Sequence, residues 1–386
     1  MRRALIGGCA LGLASGWNIS NVGAIAQQFA HRYGVGLATV GLFTTALFVT
    51  HFAMQIPGGK ASDRFGARRT GLLGLAIIGV FNLVALAAPS VALVIPMRAL
   101  VGVGTGIGFL AGSAYVRATG GSAGAQGIYG GVSVSAGGLA LAIVPQLERL
   151  VGWRAPFVSA AAVAMLAFVL LAAAPGDEAR PRLGEVVAGV LRDRRLYRLA
   201  ALYAAALGLS VVAGNWIVTL LSRYDGLGKG TAGVLGALAL ALGFFTRPLG
   251  GWIMRTHPGK ARLAVGTSLA VGAAGTALLA VATPVAVAGI GAALVGLASG
   301  IPFAPAFTGA AKLRPDAPAA AVGVVNGASA LVIVAGTPLL GLSFSLPGGG
   351  RAGFAVIAAL WAATLLALPS REELGVTAPA SELRSG

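Results

Sequence analysis

Gly58-Gly59-Lys60-Ala61-Ser62-Asp63-Arg64-Phe65-Gly66-Ala67-Arg68-Arg69-Thr70 is a short, basic, glycine-punctuated stretch between two long apolar runs. It reads as a turn. A relic of it returns as Arg247-Pro248-Leu249-Gly250-Gly251-Trp252-Ile253-Met254-Arg255, closing on Lys260 and Arg262. Placing Gly58-Gly59 on Gly250-Gly251 sets an offset of 192, at which Gly104 and Gly108 also meet Gly296 and Gly300. Gly16-Trp17-Asn18-Ile19 pairs with Gly214-Asn215-Trp216-Ile217 at 198, and Gly127 to Ser133 pairs with Gly323 to Ser329 at 196. Arg154-Ala155-Pro156-Phe157 pairs with Arg351-Ala352-Gly353-Phe354 at 197. Each match is weak in so Gly- and Ala-rich a chain. Their common order and nearly constant offset indicate an internal duplication.

The apolar runs decide the class. The chain of 386 residues is 57% hydrophobic and only 10% charged, with mean hydropathy +0.86; soluble domains carry about a quarter charged residues. Twelve runs stand near 4–29, 37–57, 70–88, 91–114, 123–146, 154–174, 198–222, 231–254, 263–282, 284–309, 319–344 and 350–368. Each is about 20 residues, enough to cross roughly 30 Å of hydrocarbon as a helix. The expected fold is all-α and polytopic, with 12 transmembrane helices in two pseudo-symmetric six-helix bundles. The bundles are 1–174 and 198–370, with a linker at 175–197 and a disordered tail at 371–386. In the linker Leu183, Val186, Val187 and Val190 share a helical face, as in an amphipathic interfacial helix.

The net charge of +17 by itself would suggest a nucleic-acid partner. Its placement says otherwise. With the N-terminus inside, 20 of the 28 basic residues fall in cytoplasmic segments, against Arg32, Arg149, Arg154, Arg223, Lys229 and Arg351 outside. This is the positive-inside pattern, so the charge reports topology and both termini are expected in the cytoplasm. Met1-Arg2-Arg3 resembles the start of a signal peptide, but the long apolar run and its match in the second repeat read as an uncleaved span. The single Cys9 excludes an intrachain disulfide and a cysteine metal site.

Gly59-x-x-x-Asp63-Arg64-x-Gly66-x-Arg68-Arg69, between the second and third runs, resembles the signature loop of the major facilitator superfamily. Arg98-x-x-x-Gly102-x-Gly104-x-Gly106 in the fourth run resembles that superfamily's second motif. The resemblance covers essentially the whole chain. It departs at Ala67, where a basic residue is common, and at Arg255, which stands at the Asp63 position of the second repeat. Phe245 to Trp252 looks like the eighth helix of the nitrate/nitrite and cyanate porter branches. The resemblance implies a conformational latch of Gly59, Asp63, Arg64, Gly66 and Arg68. In it Asp63 would pair with a nearby Arg and the N-terminus of the eleventh helix, holding the cytoplasmic side shut. Without the resemblance these charges only set topology and cap helix ends.

Charged groups at mid-membrane depth cost about 2.5–3.5 kcal/mol each on insertion scales, so they need a reason. Only Arg98 and Arg247 lie within the runs. Arg98 can instead bond backbone of the first helix, and Arg247 can snorkel to the inner interface. A stripe of Thr44, Phe48, His51 and Gln55 faces the bundle interior from the second run. Asn18 and Asn21, Tyr129, Asn215 and Trp216, and Asn326 complete the candidate solute site; a buried amide needs several partners. Phe303 and Phe307 read as packing or gate residues. All eleven acids fall in loops or tails, leaving His51 as the conventional titratable group in the pathway.

A cavity holding arginines and no carboxylate favours an anion. The expectation is therefore a secondary active transporter moving a small, anionic solute by rocker-switch alternating access, by exchange or by symport using His51. Multidrug-type efflux of apolar or amphipathic compounds is the alternative, and a non-transporting sensor the rival from another class. No phosphate loop, metal cluster or nucleophile–base pair supports an enzyme or ATP-driven pump, and no cofactor is expected. The partners expected are the solute, a coupling ion or proton, and the lipid bilayer, with the chain acting as a monomer.

Overall fold

The computed structural model describes residues 2–120, 123–177, 189–224, 226–281 and 284–376. Among the described residues every regular element is helical. The linker positions Leu183, Val186 and Val187 and the tail from Thr377 lie outside them; Val190 is fully buried.

The helices fall into twelve segments. Segment 1 is Arg2–Ser20 with Gly23–Ile25 and Ala26–Tyr33; segment 2 is Leu37–Ala53 and Gln55–Phe65; segments 3 and 4 are Ala67–Ala85 and Val91–Ala118. Segments 5 and 6 are Ala123–Val151 and Ala155–Ala172. Segment 7 joins Arg194–Tyr203 through a π-helical Ala204–Leu209 to Ser210–Tyr224, and segment 8 is Lys229–Ala241 and Gly243–Thr256. Segment 9 is Ala261–Val281, segment 10 Val285–Gly300 and Phe303–Leu313, segment 11 Pro318–Ser343 and segment 12 Arg351–Thr364.

Among the described residues eight helical stretches are long and apolar enough to cross a membrane, or nine with the bent segment 2 counted. One of the eight, Gly124–Ala172, holds segments 5 and 6 together. Packing on segment 1 shows that it is a hairpin. Gly12, Gly16 and Ser20 meet Tyr129, Ser133 and Gly137 in ascending order, while Asn21, Trp17 and Gly7 meet Pro156, Ser159 and Leu171 in the opposite sense. The reversal occurs at Gly152, whose φ of +61° suits glycine. Leu73, Met165, Leu166, Val356 and Leu360 stand exposed on segments 3, 6 and 12, a surface suited to hydrocarbon.

Segments 1–6 pack among themselves, as do 7–12. Two antiparallel seams join the sets. In one, Leu37, Gly41, Thr45 and Phe52 of segment 2 meet Gly341, Pro338, Val334 and Gly327 of segment 11. In the other, Gly127, Gly131, Gly138 and Leu141 of segment 5 meet Pro248, Phe244, Ala241 and Gly233 of segment 8. Glycine lets these backbones touch where lipid supplies no hydrophobic drive.

Two expectations need correcting. The basic stretch is not an open turn: Gln55–Phe65 is helical and only Gly66, at φ +88°, interrupts it before segment 3 begins. Ser62 Oγ caps the carbonyl of Gly58 at 2.9 Å along this helix. The repeat also registers differently on segments 4 and 10. Gly102 and Gly106 lie on Leu47 and on His51 and Met54, as Gly296 and Gly300 lie on Leu238 and Thr246. The structural offset there is 194, two residues from the glycine match in sequence.

Candidate functional site

The two intramembrane arginines have different surroundings. Arg98 is fully buried. Its guanidinium donates to the Asn18 backbone carbonyl at 2.8 Å and to Asn18 Oδ1 at 3.4 Å. Asn82 Nδ2 donates to the same Oδ1 at 3.1 Å, and Asn18 Nδ2 donates to Ala14 O. The small residues of segments 1, 3 and 4 bring these three polar side chains together, and the network ties the three segments.

Arg247 is 4% exposed. It donates from Nη1 to the Gly130 carbonyl at 2.9 Å across the segment 5–8 seam, where a larger residue than Gly130 would meet Phe303. Its Cζ lies 4.4 Å over the Phe303 ring, a cation–π contact. Tyr203 turns its phenol to the same guanidinium and packs its ring on Phe307 and Phe303 at 4.8 and 6.1 Å. The π-helical turn starts at the next residue; such turns often occur at functional positions. Among the described residues no carboxylate pairs with Arg247, and its buried Nε has no partner.

From Arg247 a row of rings leads across segments 5, 4 and 2. Tyr129 donates to the Phe109 carbonyl and packs on the Phe109 ring at 5.8 Å; Phe109 lies 6.0 Å from the His51 ring, and His51 5.7 Å from Phe48. His51 Nδ1 bonds Thr105 Oγ1 at 3.0 Å. Asn326 is half-buried and its amide has no partner among the described residues. Gln55, also half-buried, donates only to the preceding helix of segment 2, at 3.4 Å to His51 O. Arg247 and Tyr129 thus stand at the seam of segments 5 and 8, and Gln55 and Asn326 belong to segments 2 and 11 of the other seam, with His51 between on segment 2.

The remaining candidates lie toward the other end and are internally bonded. Asn21 donates to Pro156 O at 3.0 Å; Asn215 donates to Val211 O at 2.9 Å and accepts from Thr44 Oγ1 at 3.3 Å; Trp216 donates to Thr337 O at 2.8 Å. Beside them Gln27 reaches Ser222 at 3.3 Å and Lys229 pairs with Glu148 at 2.7 Å. Of these, Thr44–Asn215, Gln27–Ser222 and Lys229–Glu148 run between the two sets and close this end.

At the signature-loop end Asp63 has no ion pair among the described residues, and Gly59 faces open space. Arg64 lies 5.1 Å over the Phe65 ring. Arg68 donates to the carbonyls of Leu171 and Ala172. The anchor here is Asp177: its carboxylate accepts from the backbone N–H of Ala67 and Arg68 at 2.7 and 2.9 Å. A carboxylate there satisfies free donors and the positive end of the helix dipole of segment 3. Tyr115 donates to Pro175 O at 2.6 Å beside it. Sequence reasoning placed Asp177 in a loop without a role; only its distance of over a hundred residues hid the cap.

Residues 8–337, including both motifs, the central row and most of both seams, match the profile of the Major Facilitator Superfamily. The chain belongs to the Major Facilitator Superfamily. Membership places it among transporters rather than enzymes. It is 26% identical over 284 residues, 66% of each chain, to a protein described as probable sulfoacetate transporter SauU of Cupriavidus necator. The chain therefore spans about two thirds of the length of that curated relative. The superfamily's signature loop and second motif are the residues that carried the resemblance in the sequence.

Proposed function

We propose that the chain is a secondary active transporter that moves a small organic anion through a site centred on Arg247, by rocking of halves 1–174 and 198–370. The observation that carries this reading is a buried guanidinium with, among the described residues, an unpartnered Nε and no carboxylate partner. Such a group favours an oxyanion, which supplies the missing charge and accepts bidentate bonds. The relative named for sulfoacetate, itself a small anion, supports the same class; it is not named for nitrate or cyanate, so the eighth-helix resemblance adds nothing to the choice. Efflux of apolar compounds is not favoured by either observation.

In this reading His51, Tyr129 and Asn326 border the solute, Arg98 and Asn18 hold segments 1, 3 and 4 in place, and His51 carries a coupling proton. The basic signature-loop end faces the cytoplasm of a cell with the protein in its inner membrane. Contacts at Thr44–Asn215, Gln27–Ser222 and Lys229–Glu148 then close the outer end. Asp63 is free in this state and pairs in the opposite one.

Counterflow in proteoliposomes, with a panel of small sulfonates and carboxylates, tests it. The expected result is exchange of at least one anion, with affinity lowered about 10- to 100-fold in Arg247→Ala, the loss of charge-assisted hydrogen bonds. Absence of any counterflow points to a sensor. Counterflow of lipophilic cations, unaltered in Arg247→Ala, sinks the anion reading.

A further inference from the structure

The two seams occupy equivalent places in the repeat but differ in charge. Segment 8 registers on segment 2 at 192, the glycine match in sequence, and segment 11 on segment 5 at 196. Two pairs of equivalent structural contacts support this register. Phe244 packs on Gly131 as Phe52 packs on Gly327, and Thr246 packs on Gly300 as Met54 packs on Gly106. Arg247 then corresponds to Gln55, and its acceptor Gly130 corresponds to Asn326. One seam presents a guanidinium beside a carbonyl. The other presents two primary amides.

Neither amide is used up by the fold. Asn326 has no side-chain partner among the described residues, and Gln55 makes only the long bond to His51 O. Both are half-buried, whereas the amides of Asn18, Asn21 and Asn215 are buried and bonded. The second arginine supplies no charge here, because Arg98 is fully buried and donates to Asn18.

We propose that the central site takes a short organic monoanion with a neutral hydrogen-bonding group at its far end. Arg247 holds the charged end, and Gln55 and Asn326 hold the neutral end. The proposal rests on the anion-transporter reading above and narrows it. A hydroxyl or carbonyl pairs with either amide as donor or acceptor. A second carboxylate would be desolvated against amides and the rings of Phe48, Phe52 and Phe109 with no cation to offset it. His51 is the other titratable group facing this seam, and it is neutral well above an ordinary imidazole pKa.

The test is competition at pH 8 between 2-hydroxyethanesulfonate and sulfoacetate, which share a sulfonate and two carbons and differ in a hydroxyl against a carboxylate. Counterflow and thermal stabilisation are read for the wild type, Gln55→Arg and Asn326→Ala. The proposal expects the hydroxysulfonate to be favoured at least 10-fold in the wild type. It expects Gln55→Arg to bring sulfoacetate up to parity or beyond, and Asn326→Ala to narrow the wild-type ratio. An equal or reversed wild-type preference overturns it, whatever the variants do. So does a ratio that Gln55→Arg leaves unmoved in folded protein. If both anions act but neither depends on Arg247, the site reading fails as well; if the anions depend on Arg247 and the ratio is flat, only this inference fails.

Discussion

Arg247 and Arg98 are the same residue type, each buried within a span, and their neighbours give them different work. Arg98 meets the carbonyl and side-chain oxygens of Asn18, so its charge is absorbed by amide dipoles of segment 1. Arg98→Ala removes those bonds and leaves the Asn18 backbone and side-chain oxygens with fewer donors, which costs about 1–3 kcal/mol. The expected outcome is a lower melting temperature in detergent, with a smaller loss of anion affinity than Arg247→Ala. Tyr203 serves the Arg247 site. Removing its hydroxyl in Tyr203→Phe takes a polar group from beside the guanidinium, so binding isotherms of the anion should weaken by at most about 10-fold. The sequence made Arg98, Arg247, His51 and the asparagines visible because polar groups are conspicuous in apolar runs. Tyr203 was not visible. It sits at the head of a span like an interfacial aromatic, and the π-helical turn after it, which has no composition signature, decides where it points.

At the scale of elements, glycine and one carboxylate set the geometry of the loop between segments 2 and 3. The helix runs to Phe65, reverses at Gly66 and restarts under the Asp177 cap. Replacing Asp177 by Ala exposes two backbone donors and removes a charge from a helix N-terminus, costing about 0.5–2 kcal/mol; thermal unfolding measures it. Asp177→Asn, which keeps an acceptor, should recover part of the loss. Arg314 holds the Asp316 carboxylate down at about 2 through a side-chain hydrogen bond. Because the folded value lies below the ordinary one, any stabilisation from this exposed pair is present above about pH 4 and fades as pH falls toward 2. Carboxyl NMR titration of Arg314→Ala should find Asp316 returned upward. Helices and their order were legible from hydropathy, since hydrocarbon admits little else. The breaks within segments 2, 7, 8 and 10 were not, because each depends on a neighbour's backbone more than on local residues.

Across the whole molecule the repeat is expressed in contacts. The seams 2–11 and 5–8 use glycines at matching positions, so the duplication inferred from scattered sequence matches reappears as repeated packing. The two-residue change of register on segments 4 and 10 could not be read from glycine spacing alone, because several glycines there fit equally well. The end closed by Gln27–Ser222, Thr44–Asn215 and Lys229–Glu148 is held by few polar bonds. Lys229 is 40% exposed at its side chain, so its pair contributes about 0–1 kcal/mol. Lys229→Ala should therefore raise the labelling rate of Thr44→Cys from that side by at most about 5-fold, in a background with Cys9 replaced. A charge-swapped Lys229→Glu, Glu148→Lys protein should return the rate toward that of the parent. No change in labelling would mean that this pair is not part of the closure.

The buried guanidinium has a consequence for energetics. In the proposed transport reading, and with no proton on His51, the carrier holds about one positive charge when empty and about none when a monoanion is bound; a coupled proton on His51 returns the loaded form to about one. As the aqueous opening moves from one side to the other, that charge passes from one electrical potential to the other. A membrane voltage of 100 mV, negative inside, then favours the inward-facing empty carrier by about 2.3 kcal/mol and leaves the unprotonated loaded carrier almost indifferent. The return of the empty protein becomes the voltage-sensitive half of the cycle, and the resting potential sets how much of it waits with its site open to the cell interior.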